Sequence, residues 1–89
     1  MTSIELQIVN KLGLHARAAA KFATLARNFS SEIQIEKEQR IVNGKSIMGI
    51  MMLAAGQGTM LKIHADGDDA KQALSELKQL IEDRFGETE

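Results

Sequence analysis

Hydrophobic periodicity changes five times within 89 residues, and that alternation is the tightest constraint on the fold. Ile4, Leu6 and Ile8 alternate with Glu5, Gln7 and Val9, the period-2 pattern of a strand with one face buried. Asn10-Lys11-Leu12-Gly13 breaks the pattern. From Ala16 onward, Ala18, Ala19, Phe22, Leu25, Ala26 and Phe29 fall on one helical stripe, which Ser30-Ser31 ends. Ile33 and Ile35 alternate with Glu32, Gln34 and Glu36 in a second strand. Lys37-Glu38 reads as a turn into a short third strand, Gln39–Val42, paired with the second as a hairpin.

Asn43-Gly44 closes that hairpin, and Ser46 reads as the N-cap of a short helix over 47–53. After Gly56-Gln57-Gly58 comes a fourth strand, Thr59–Ala65, with Leu61, Ile63 and Ala65 on one face and Lys62 and His64 on the other. His64 therefore reads as solvent-facing, without a role. Asp66-Gly67 turns the chain, and Asp68 or Asp69 caps a final helix. Its stripe is Ala70, Ala73, Leu74, Leu77, Leu80, Ile81 and Phe85, with Gly86 as the stop. Each helix has one apolar stripe and each longer strand one apolar face. The economical packing is α+β: a βαββαβα open-faced sandwich, a four-stranded antiparallel sheet with three helices on one face.

Chain length permits one small domain over residues 1–89 and excludes dinucleotide-binding folds and barrels. The absence of cysteine removes disulfides, thiolate metal sites and thiol nucleophiles. No apolar run nears the roughly 20 residues a membrane span needs, and Met1–Glu5 lacks signal-peptide character, so a cytoplasmic protein is expected. The net charge of −1 hides an asymmetry: residues 1–62 are basic on balance and residues 63–89 acidic. That is either ordinary surface patchiness or a weakly basic end that meets an anion or acidic partner. Nucleic acid is a poor candidate, because only Phe22, Phe29 and Phe85 could stack on bases.

Gly13-Leu14-His15-Ala16-Arg17 is the main local anomaly. A helix begins there with four N–H groups lacking intrahelical acceptors, yet His15 stands where Ser, Thr, Asp or Asn would cap it. Free N–H groups at the positive end of a helix dipole accept anions. Arg17 adds a guanidinium suited to phosphate oxygens. A neutral imidazole beside such a site can attack phosphorus and form a covalent intermediate. No carboxylate occurs in residues 6–31 to repel the incoming charge.

Residues 13–22, Gly-Leu-His-Ala-Arg-Ala-Ala-Ala-Lys-Phe, resemble the active-site segment of HPr, the histidine phosphocarrier family of the bacterial sugar phosphotransferase system. Asn43-Gly44-Lys45-Ser46-Ile47-Met48-Gly49-Ile50-Met51 is similar to that family's regulatory-serine motif. Gln57-Gly58-Thr59 and the βαββαβα order also fit, in register over nearly the whole chain.

The resemblance implies that enzyme I, charged by phosphoenolpyruvate, passes a phosphoryl group to Nδ1 of His15, which passes it to IIA proteins or domains. Arg17 and the backbone N–H groups of Ala16 and Arg17 would hold the group. No cofactor or metal is implied, and a monomer suits the task. Ser46 carries two compatible readings: a cap whose hydroxyl accepts from the N–H of Met48 or Gly49, and, by resemblance, a phosphorylation site where an HPr kinase/phosphorylase operates.

Met48, Met51 and Met52 crowd the short helix. Ile47, Ile50 and Leu53 or Met51 can face the core, leaving Met48 and Met52 outward. They form either a loose core edge or an adaptable docking patch of Ala20, Ile47, Met48 and Met51 around His15. One departure stands out: the family's usual proline after the motif arginine is Ala18 here. The tail Gly86–Glu89 is expected to fray, so its terminal carboxylates receive no role.

Three other readings compete. One is the nitrogen-related phosphocarrier branch. Another is an HPr-like interaction module switched through Ser46. The third, a small hydrolase, would need a general base, and no carboxylate lies near His15 in sequence.

Overall fold

The computed structural model describes residues 2–89. The chain forms strand β1 (Thr2–Gln7), helix α1 (Ala16–Ala26), strands β2 (Glu32–Lys37) and β3 (Arg40–Asn43), helix α2 (Ile47–Met51), strand β4 (Met60–Asp66) and helix α3 (Ala70–Glu82), followed by a single 3₁₀ turn at Arg84–Gly86. The strands lie in the order β1-β4-β2-β3, with every neighbouring pair antiparallel. This is the open-faced sandwich expected from the periodicity.

Register explains why one sheet face is apolar. Ile4 and Ile35 both stand opposite Ile63, Leu6 opposite Leu61, and Ile33 opposite Ala65. Because side chains alternate along a strand, these pairs share the face that meets the helices. Leu6, Ile33, Ile35, Leu61, Ile63 and Ala65 are buried there with Phe22 of α1 and Leu74, Leu77 and Ile81 of α3. Each fully buried side chain of this size contributes about 1.5–3 kcal/mol before entropic costs. Ala18, Ala19, Ala23 and Ala26 give α1 a buried stripe of small residues, on which Phe22 is the one large side chain.

Several boundaries differ from expectation for identifiable reasons. The hairpin turns at Glu38 and Gln39, both at positive φ, rather than at Lys37-Glu38. Two left-handed residues match the twist of the flanking strands, so backbone geometry prevails over the missing Asn-Gly signature. Helix α1 ends at Ala26, so Phe29 reaches the core from beyond the helix; Leu25 is only half-buried. Helix α2 ends at Met51, and Leu53 is buried after it while Met51 is partly exposed.

Asp69 occupies the N-cap position of α3 but makes no capping bond. Its carboxylate instead accepts from the backbone N–H of Ser30 (2.9 Å) and Ser31 (3.0 Å) and from the Ser31 hydroxyl. The Ser31 hydroxyl, more than the Ser30 N–H, holds the Asp69 carboxyl down at about 2.

The tail departs most from expectation. It does not fray. After α3, Arg84, Phe85 and Gly86 all take positive φ, and Phe85 is buried. That left-handed turn, anchored by an apolar side chain, sends the last residues back across the start of α1. Lys21 Nζ donates to the Phe85 carbonyl (2.6 Å), and Lys11 N donates to the Glu89 carbonyl (2.6 Å).

Candidate functional site

The loop between β1 and α1 is built against residues 55–59. Ile8 N donates to Thr59 O (2.9 Å), Gly58 N to Ile8 O (2.7 Å) and Leu14 N to Ala55 O (2.8 Å). Gly13 sits at φ +68°, and a Cβ there would lie 2.5 Å from Ala55 O and 2.8 Å from Gly56 Cα. Only glycine allows that approach without strain. Asn10, fully buried, donates from Nδ2 to Gly13 O (2.9 Å) and holds the loop from within. The loop therefore enters α1 at a fixed angle.

His15 is the N-cap residue, with extended backbone (φ −75°, ψ 179°) and no side-chain capping bond. The first intrahelical bond is Ala19 N to His15 O (2.8 Å). The N–H groups of Ala16, Arg17 and Ala18 precede it, and among the described residues none has an acceptor. The first turn carries no acidic residue. Arg17 is exposed and makes no ion pair among the described residues. Free donors, a positive dipole end and an open guanidinium suit a phosphoryl group.

The imidazole does not face solvent freely, being 28% exposed. Its Nε2 bonds to Glu87 Oε2, while Glu87 Oε1 accepts from Asn10 Nδ2 (3.0 Å). The His15 hydrogen bond is the main cause holding the Glu87 carboxyl below its usual range; Asn10 and the charges of His15 and Arg17 act the same way, against partial burial. An ionised carboxylate only accepts, so the shared proton resides on Nε2. In the neutral ring Nδ1 then carries the lone pair, and among the described residues it has no hydrogen-bond partner.

One expectation is corrected here. Carboxylates are absent from the neighbouring sequence but not from the neighbouring space, because the tail supplies Glu87. The acidic end of the chain also folds onto the basic end, with Lys11 Nζ 3.3 Å from Glu89. The sequence distance of 72 residues between His15 and Glu87 left no local signal. The available hint was Phe85-Gly86, an apolar anchor followed by a left-handed turn.

Ser46 caps α2, its Oγ accepting from Gly49 N (3.0 Å). Arg27 Nε donates to Lys45 O (3.0 Å) and Lys45 Nζ to Phe29 O (2.7 Å), tying the start of α2 to the end of α1. The chain after α2 returns to Leu14 through Ala55. The two helices therefore run antiparallel, and Ser46 lies by the far end of α1 from His15. Met48 is 71% exposed, Met52 is also exposed, and Met51 less so. Ile47 is half-buried against the core, as expected of its place on α2. Ala20 is half-buried beside Arg17 in a groove completed by Lys21, Leu25 and Leu80.

His64 lies on the open sheet face, as expected, but it is engaged: Nε2 is 2.8 Å from Glu36 Oε1 on β2. Phe22, Phe29 and Phe85 are all buried, so none can stack on a base. Among the described residues no group of three or more His, Cys, Asp or Glu is arranged to hold a metal ion. Among the described residues no helix is long and apolar enough to cross a membrane.

An open-faced sandwich that presents a histidine at an uncapped helix start, beside an arginine, is the arrangement expected of the small histidine phosphocarriers. The sequence profile described as "PTS HPr component phosphorylation site" matches residues 2–83. The phosphocarrier protein HPr of Neisseria meningitidis serogroup A is 49% identical over 89 residues, covering both chains completely. That of Pseudomonas aeruginosa is 48% identical over 90 residues, again covering both chains. The crystal structure of HPr-C-His from Thermoanaerobacter tengcongensis superposes with a TM-score of 0.96 at 49% identity over all of both chains. This chain belongs to the HPr family of phosphotransferase-system phosphocarriers.

Proposed function

We propose that His15 accepts a phosphoryl group at Nδ1 from enzyme I and donates it to IIA proteins of the phosphotransferase system. The observation that carries this reading is the uncapped start of α1, where His15 and the free N–H groups of Ala16 and Arg17 converge without a first-turn acid. Arg17 supplies the mobile positive charge for the phosphoryl oxygens. Ala18, in the place of the family proline, keeps an N–H in the first turn and so offers a further donor. Partner proteins complete the transition state, so positioning and charge stabilisation are all this small chain must provide. A single cytoplasmic monomer presenting one site to successive partners suits that role.

The test is incubation with phosphoenolpyruvate and enzyme I. Wild type should acquire an acid-labile, base-stable phosphate, and His15→Ala should acquire none. A label on His15→Ala, or none on wild type, refutes the assignment. The same assay with the nitrogen-branch enzyme I homologue separates the two branches.

The exposed Met48 and Met51, with Ile47 and Ala20, serve as the docking patch, since a Met-rich surface adapts to several partners. Ser46 is the regulatory site, phosphorylated by an HPr kinase/phosphorylase. A phosphate at the N-terminus of α2 is favoured by the dipole and does not melt the helix. It adds negative charge to the docking surface and slows transfer by repulsion. Ser46→Asp should therefore lower the rate of transfer from enzyme I; an unchanged rate rules this out.

A further inference from the structure

We infer that Glu87 is a positioning residue of the phosphoryl-transfer site, orienting His15 through Nε2 and balancing the charge that its ring acquires on phosphorylation. The inference rests on the reading of His15 as acceptor. Glu87 is brought to the site by the left-handed Arg84–Gly86 turn and the buried Phe85. Its carboxylate is only 15% exposed and is held from both sides, by Asn10 on Oε1 and His15 on Oε2. Lys11 and Lys21 fasten the backbone on either side of it, through the carbonyls of Glu89 and Phe85. This is a supported arrangement, in which a fully buried asparagine orients the carboxylate and the carboxylate orients the ring.

The chemistry follows from which nitrogen is occupied. Glu87 accepts the Nε2 proton, so the lone pair of the neutral ring is on Nδ1. In transfer, the Nδ1–P bond forms as the bond from phosphorus to the donor's leaving nitrogen breaks, and that nitrogen keeps the electron pair. No proton needs to leave Nε2. The ring thereby becomes an N-phosphoryl imidazolium with one positive charge, facing the Glu87 carboxylate. A buried aspartate acts in the same way behind the histidine of a serine-protease triad. Donation to a IIA protein reverses the step, and the ring returns to the neutral Nε2–H form.

The experiment compares wild type, Glu87→Gln, Glu87→Ala and His15→Ala. One measurement is steady-state transfer from enzyme I; the other is ¹⁵N NMR of histidine-labelled protein. In wild type the His15 Nε2 proton should be slow to exchange and shifted downfield. That signature should vanish in Glu87→Ala and persist in Glu87→Gln, whose amide oxygen still accepts. Glu87→Ala should lower kcat about tenfold, with KM for enzyme I within about twofold. Glu87→Gln should also lower kcat, because orientation without charge is insufficient.

A wild-type kcat in Glu87→Ala overturns the proposal. So does a change in KM alone, which would make Glu87 a docking contact. A wild-type kcat in Glu87→Gln overturns the charge-balancing role. A label on His15→Ala instead refutes the acceptor assignment and takes this proposal with it.

Discussion

Substituting Gly13 by alanine tests whether the site's loop is held by the close approach of two backbones. At φ +68° a Cβ would lie 2.5 Å from the Ala55 carbonyl oxygen and 2.8 Å from Gly56 Cα. Unstrained carbon–oxygen contacts settle near ~3.3–3.6 Å, so the segments must separate by close to an ångström. Both obstructing atoms are backbone, and no side-chain rotation relieves them. The left-handed conformation costs an L-residue about 1–2 kcal/mol. Separation weakens the Leu14 N–H bond to that same carbonyl (2.8 Å), worth about 1 kcal/mol. Overpacking adds about 1–3 kcal/mol, and the stiffer unfolded chain returns about 0.4–1 kcal/mol. The net expectation is a loss of about 3 kcal/mol, or roughly 15 °C in Tm for a domain of this size.

With no tryptophan or tyrosine to report, unfolding in urea is best followed by far-UV circular dichroism. Gly56→Ala is the control. A Cβ there meets nothing within 4 Å, so its stability should stay within about 0.5 kcal/mol of wild type. A loss below about 1 kcal/mol for Gly13→Ala, or an equal loss for both, would refute the reasoning.

Three further outcomes are expected. Ser46→Ala removes the bond to Gly49 N and should cost about 1 kcal/mol in urea melts, whereas Ser46→Asp keeps an accepting oxygen and should cost less. The Asp69 carboxyl is lowered from 3.8 to about 2, so the stability it provides is complete above the unfolded value and is lost as pH falls from about 4 to about 2. Asp69→Asn should remove that part of the acid dependence, measured as Tm against pH. Met48→Glu, at a side chain 71% exposed, should leave Tm unchanged while raising KM for enzyme I roughly tenfold, the consequence of losing ~1.4 kcal/mol at a docking contact.

The architecture was readable because one-sided burial imposes a period, and the period changes wherever the element type changes. Ile33 and Ile35, or Leu61 and Ile63, could hardly alternate for another reason. Small residues were less legible: alanines occur on both faces of α1, and Ala23 is fully buried though the expected stripe left it out, while Leu25 stays half-buried. The hairpin turn shifted by one residue because Glu38 and Gln39 carry no mark of their left-handed backbone. His15, Arg17 and Ser46 stood out because each sits at a helix start, where local chemistry is visible. Glu87 did not, since its partners Asn10 and His15 lie at the other end of the chain. Glu87 puts a carboxylate beside His15, so the lack of one in the neighbouring sequence does not exclude a hydrolase, and family membership decides that question instead.

The strand order also sets when this molecule can become itself during synthesis. Strand β4 lies between β1 and β2, so neither can complete its sheet partnerships until residues 60–66 have left the ribosome. Until then two apolar strand edges wait without a neighbour, and the helix start that holds His15 has no wall at Ala55 to lean on. Glu87 emerges 72 residues after His15. At ~5–20 residues per second, His15 precedes Glu87 by several seconds. A nascent chain interrupted before Glu87 would display the His15 segment without the contacts that Glu87 makes to His15 and Asn10.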